Sequence, residues 1–292
     1  MEFLSEEEAK TYSISLTAGY SSPEKLNETV TSYRSYIKSA SNTEDKQYWQ
    51  DELQKSEELI SSTKYKNGDY SQGIDQLFLE LIEWRASIYA FQKVDTKQSP
   101  FTEHAFYAQW LMGGTYTVFC IIGKLVSKDK RDNSLTKLWS ETYPYISNSE
   151  LCSIDEINTL LKRMHRTEGQ FNNTNSQSIL YRNKVIAHNE SMPNIEWTEI
   201  DKDIKLICRI WALITMWSSF GIFNPYRDSS QVFSGLESVF SHEEMKQLQQ
   251  QRKNYINLVK KWCTHNIING EKTSERSPFA ELSISINVKH GK

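Results

Sequence analysis

Apolar residues recur along this chain at spacings of three and four, the period of a helix with one buried face. The clearest case is IDQLFLELIEWRASIYAF, where Ile74, Leu77, Leu81, Trp84, Ile88 and Phe91 line one stripe. Upstream, residues 1–22 are rich in Ser, Thr and Glu and read as loosely ordered. Pro23 then opens a polar helix, PEKLNETVTSYRSYIKS, because proline is tolerated at a first helical position. Asn42-Thr43 precedes a second helix whose apolar residues (Tyr48, Trp49, Leu53, Leu59, Ile60) are sparse, so the two are expected to form a surface hairpin. Lys64–Gly73 contains Asn-Gly and reads as a loop.

Pro100 breaks the pattern, and a long helix is expected from about His104 to Val126. The polar link Ser127–Asn133 leads to a short helix ending near Pro144. Ser153 with Glu156 three residues on has the capping-box pattern and opens IDEINTLLKRMHRTEG. Gly169 and the Asn/Ser-rich stretch to Gln177 read as a loop, followed by a helix from about Ser178 to Ala187. Trp197 to Phe223 is the most hydrophobic helix, ended by Asn224-Pro225, and two shorter helices fall at about 230–240 and 242–268. The alternation in ELSISINVKH reads as an edge strand or a disordered end. The expected fold class is all-α: a helical extension over 1–70, a bundle over 71–270 and a polar tail over 271–292.

Composition agrees. Eleven Gly and six Pro are too few for an all-β chain with many tight turns. Eight Trp and fifteen Tyr exclude a disordered chain, which lacks apolar surface to offset its ordering entropy. A net charge of −3 gives no sign of a strongly basic nucleic-acid binder, although a local basic patch remains compatible with it. Cysteines 120, 152, 208 and 263 form no CxxC pair and no Cys/His cluster, which argues for a reducing compartment and gives no metal site. The acidic start MEFLSEEEAK is no secretory signal. Ala105–Val126 and Leu206–Phe223 are apolar but interrupted by Gln109 and Lys124 in one and Arg209 in the other, so both read as bundle helices rather than membrane spans. A cytoplasmic location is expected, and nothing calls for a cofactor; GKL at 123–125 lacks the upstream glycine of a phosphate loop.

One segment carries chemistry: Leu180–Glu190, LYRNKVIAHNE. Arg182 is always cationic, and its planar fork suits phosphate. His188 is of the type that moves protons near neutral pH. Val185, Ile186 and Ala187 between them would face the core. A cationic clamp beside a proton carrier suits attack on a phosphodiester, and RNA carries its own nucleophile in the 2′-hydroxyl. On a straight α-helix the two side chains would lie roughly 120° apart around the axis and about 9 Å apart along it. Either the helix ends before His188, or two chains combine at a twofold axis, which would bring two Arg and two His to one cleft.

YRNKVIAHNE resembles the signature of the HEPN superfamily: Arg, a polar residue, then His after four to six residues. The layout upstream resembles the abortive-infection type, with a long aromatic helix (AFYAQWLMGGTYTVFCIIGKLV), a polar basic link (SKDKRDNSLTKLW) and then the R-N…A-H segment. The resemblance spans roughly 72–225. It implies an α-helical HEPN-like bundle, homodimerisation through the motif helices and metal-independent endoribonuclease activity in phage defence or as a toxin, with an antitoxin or defence-system partner. By this resemblance Arg182 holds the scissile phosphate, Asn183 orients it and His188 is the general base or acid. The tyrosine found two residues after the His in one subgroup is replaced here by Glu190, and Tyr181 is not its equivalent. The competing expectation is a catalytically inactive helical module that docks a nucleotide or protein. Burial of His188 against apolar side chains would favour it.

Overall fold

Helices make up every regular element among the described residues of the computed structural model, which are 3–18, 23–66, 73–94, 105–149, 151–188, 195–219 and 232–264. The all-α class therefore holds. The chain divides into two compact units, Ser15–Gln76 and the remainder, Met1–Ile14 with Leu77–Lys292. Residues 1–14 thus group with the larger unit. The tail 271–292, with its alternating segment, lies outside the described residues, as do His104, Glu190, His265 and His290.

In the smaller unit, α2 (Pro23–Ser39) and α3 (Thr43–Ser61) form a helical hairpin. Asn42 caps α3, its Oδ1 accepting from the Asp45 N–H at 2.7 Å. The seam is aromatic: Trp49 meets Tyr36 at 4.8 Å and Tyr33 at 5.4 Å between ring centres. No residue of α3 is buried, which is what its sparse apolar positions imply.

The N-terminal segment differs from expectation. Glu6–Ala18 is a helix, α1. Its buried positions Ala9, Ser13 and Thr17 are small and recur every four residues, so the stripe is too polar to register as hydrophobic. Three acidic residues favour its N-terminus. Glu6 accepts from the Trp217 indole at 3.0 Å, and the Tyr12 hydroxyl donates to Glu141 at 2.6 Å.

The larger unit is built around α10 (Trp197–Ser219), which packs on α7 (Leu135–Asn148), α9 (Gln177–Tyr181) and α11 (His242–Thr264). The short α4 (Thr63–Lys66) precedes α5 (Ile74–Lys93), whose Phe78 stacks on Trp211 at 4.1 Å. The helix α6 (Ala105–Leu125) is buried mainly over its C-terminal half. Among the described residues no helix is long and apolar enough to cross a membrane. The charges inside α10 explain why it reads as less than a span: Arg209 pairs with Glu156 of α8 (Ile154–Arg163), and Asp201 accepts both arms of Arg85 at 2.9 and 2.8 Å. Glu156 therefore turns its carboxylate to Arg209, while Ser153 still accepts from the Glu156 N–H. The helix α7 runs on past Pro144, because Ile146 is buried beyond the proline and Tyr145 donates to the Phe3 carbonyl at 3.2 Å. Cys152, Cys208 and Cys263 are buried and Cys120 half-buried, all as free thiols. Burial pushes the Cys152 thiol up to about 12, so it is inert.

Candidate functional site

The R-N…A-H segment is positioned by a loop and a buried carboxylate. Asp203 of α10 is fully buried. Its Oδ2 accepts from the Ser176 and Ser178 hydroxyls at 2.6 and 2.7 Å, and its Oδ1 from Gln170 Nε2 at 2.8 Å. Burial pushes the Asp203 carboxyl above its ordinary range, while the Ser176, Ser178 and Gln170 bonds and the Arg163 charge pull it back. Ser176 also caps α9, accepting from the Ile179 N–H at 3.1 Å. One carboxylate thus fixes both the loop and the first turn of the helix that carries Arg182.

The loop is tied internally. Asn172 Oδ1 accepts from the Thr174 and Asn175 N–H groups at 2.8 and 2.9 Å, and the Asn172 and Asn175 amides both donate to the Gly169 carbonyl at 2.7 and 2.8 Å. A Cβ on Gly169 would overlap the Arg163 and His165 backbone, so only glycine fits. The Lys128 ammonium closes the loop by donating to the Arg166 and Phe171 carbonyls at 2.5 and 2.6 Å. Its pKa falls through burial and the nearby Arg166. His165 Nδ1 faces the Glu168 N–H at 3.3 Å and serves the turn.

The α-helix expected over 178–187 stops at Tyr181 and continues as a π-helical turn, Arg182–Ala187. A π turn closes its backbone hydrogen bonds over five residues instead of four. His188 ends the turn at φ −123° and ψ 0°, with its N–H donating to the Val185 carbonyl. Arg182 and His188 are both exposed and Asn183 is half-buried. Arg182 Nη1 donates to Asn183 Oδ1 at 3.1 Å, and Asn183 Nδ2 donates to Asn173 Oδ1 at 2.7 Å. Arg182 and His188 form no ion pair among the described residues. The apolar residues between them are less buried than expected: Val185 and Ile186 are half-buried and Ala187 is exposed. Tyr181 is the buried anchor, 4.8 Å from Phe119, and burial pushes its hydroxyl up to about 12.

Sequence reasoning missed three residues of this arrangement. Asn173 looked like one loop residue among several. Asp203 sits in an apolar helix, 27 and 25 residues from the Ser176 and Ser178 hydroxyls that it meets. Gly123 stood out only as part of a failed phosphate-loop pattern, yet a Cβ there would overlap Arg182 Cδ and Nε and lie 3.1 Å from Cζ. The missing side chain is thus the seat of the arginine on α6. Among the described residues no three His, Cys, Asp or Glu side chains gather as a metal-binding group. No family model, curated protein or solved structure matches this chain.

Proposed function

We propose that this protein is a metal-independent endoribonuclease of the HEPN type, acting as a cytoplasmic homodimer in phage defence or as a toxin, with an antitoxin or defence-system partner. One observation carries the reading. An arginine with no carboxylate partner among the described residues bonds to Asn183 and sits on Gly123 at the surface, at the start of a π turn that an exposed histidine ends. A guanidinium so placed keeps the rest of its fork open to a phosphate.

In the proposed reaction the guanidinium of Arg182 binds nonbridging oxygens of the scissile phosphodiester, where charge builds in the transition state. Asn183, backed by Asn173, keeps the guanidinium in one orientation. His188 takes the proton from the RNA 2′-hydroxyl, whose oxygen bonds to phosphorus as the P–O5′ bond breaks. The second His188 of the dimer protonates the departing 5′-oxygen, so the products are a 2′,3′-cyclic phosphate and a 5′-hydroxyl. The exposure of His188 favours this over a catalytically inactive docking module. The test is cleavage of total RNA in EDTA by wild type, Arg182→Ala and His188→Ala. Wild type is expected to cut and both variants to fail. No cleavage by wild type, or equal cleavage by all three, overturns the proposal.

A further inference from the structure

The chain is acidic overall, yet one of its concavities is cationic. A cleft of about 1080 Å³ opens between the 127–137 link, α7 and the turn after α8. Lys128, Lys130, Lys137 and Arg166 line it, against Asp129 and Glu141. The two carboxylates are already engaged. Asp129 receives Arg131, at 2.6 Å from Nη2, and Glu141 accepts from Tyr12. Lys128 is spent on two carbonyls. Lys130, Lys137 and Arg166 form no ion pair with any described residue. The cations lie close enough for Arg166 to lower the Lys128 pKa, as a concentrated positive field requires. Aromatic surface lies beside them: Tyr143 and Tyr145 of α7 and Phe3 also line the cleft.

A cationic groove with aromatic faces is the combination that holds single-stranded nucleic acid, with cations along the phosphates and rings under the bases. We propose that this cleft is a docking groove for single-stranded RNA, separate from Arg182 and His188. The assignment of RNA rests on the endoribonuclease reading; the anionic, base-bearing character of the ligand rests on the cleft alone. The groove joins the reacting segment through one loop: Lys128 grips that loop at Arg166 and Phe171, two residues before Asn173, the partner of Asn183. A strand held in the groove is thereby held against the loop that orients Arg182.

The experiment separates docking from cleavage. A short fluorescent 2′-O-methyl oligonucleotide has no nucleophilic hydroxyl, and its binding to the full chain is read by anisotropy over a salt series. Wild type is expected to bind. Lys130→Glu/Arg166→Glu changes two exposed side chains, and its fold is checked by circular dichroism. This variant is expected to lose tenfold or more in affinity and to flatten the log–log salt slope by about 1.4. Lys246→Glu, which changes an exposed cation of α11 outside the cleft, is expected to bind within about threefold of wild type. Equal binding by wild type and the double variant overturns the groove, even if Arg182 and His188 cut RNA. Charge-sensitive binding of the oligonucleotide without any cleavage of unmodified RNA overturns the endoribonuclease and leaves the groove standing. Displacement of the oligonucleotide by a mononucleotide of equal affinity overturns the strand in favour of a free nucleotide.

Discussion

Four arginines of this protein mark two opposite environments. Arg85, Arg209 and Arg252 are 2%, 0% and 4% exposed, and each meets a carboxylate: Asp201, Glu156 and Glu83. Arg85 is also ringed by aromatics, its guanidinium carbon 4.4 Å from the Trp197 ring centre and 4.9 Å from that of Tyr255. Arg182 is exposed and touches an amide and a glycine instead. Burying a cation costs several kcal/mol unless it is paired, so the first three are consistent with packing α5, α8, α10 and α11 together. An exposed cation needs no partner. Holding one in a single orientation nonetheless costs side-chain entropy, about 2 kcal/mol for an arginine, which solvation alone does not require. Rigidity without neutralisation is what an anionic substrate would use.

That contrast can be broken by substitution. Arg209→Leu leaves the Glu156 carboxylate buried and unpaired, so it is expected to lose about 3–5 kcal/mol in chemical denaturation. Adding Glu156→Leu is expected to restore much of that loss. A double variant no more stable than the single would show that the pair is not what the core depends on. Arg182→Ala, by contrast, is expected to stay within about 0.5 kcal/mol of wild type. Gly123→Ala sharpens the comparison at the other end. The added methyl displaces the Arg182 side chain while improving the helix propensity of α6. RNA cleavage is expected to fall roughly 10²-fold with no loss in melting temperature. A drop in both would mean that Gly123 is a packing residue only.

Two smaller effects concern the support beneath Arg182. Asn173→Ala removes the hydrogen bond to Asn183 and is expected to lower cleavage about tenfold, leaving stability nearly unchanged because the pair is exposed. Asp203 links the support to pH. Its carboxyl titrates above the ordinary value of 3.8, so the folded state holds a proton that the unfolded state releases. The stabilisation is complete below the ordinary carboxylate pKa and is lost as pH rises through the raised value. The stability difference between wild type and Asp203→Asn is therefore expected to shift in favour of wild type as pH falls from neutral toward 4. A pH-independent difference would place the Asp203 carboxyl in its ordinary range.

Much of the fold was legible because α5, α6 and α10 are long runs rich in apolar residues and the shorter α7 and α8 carry clear apolar stripes. The N-terminal α1 was not, since Ala9, Ser13 and Thr17 bury a face that carries almost no hydrophobicity. The extension of α7 past Pro144 was hidden by a local rule that tertiary burial of Ile146 overrides. Within the candidate site, Arg182, Asn183 and His188 were readable as chemistry, and the clash between their spacing and a straight helix was readable as geometry. The π turn over Arg182–Ala187 has no sequence signature. The support from Asp203 was invisible for a different reason. A buried carboxylate is recognised by the hydroxyls that meet it, and those lie 25 and 27 residues away in the chain.

The most direct measurement is the end group left on RNA cut in EDTA, read by mass spectrometry on a defined oligonucleotide. Attack by the 2′-hydroxyl, clamped by Arg182 and served by His188, is expected to leave a 2′,3′-cyclic phosphate with wild type and uncut RNA with His188→Ala. Ends bearing a 5′-phosphate and a 3′-hydroxyl, or the same products from His188→Ala, would contradict it.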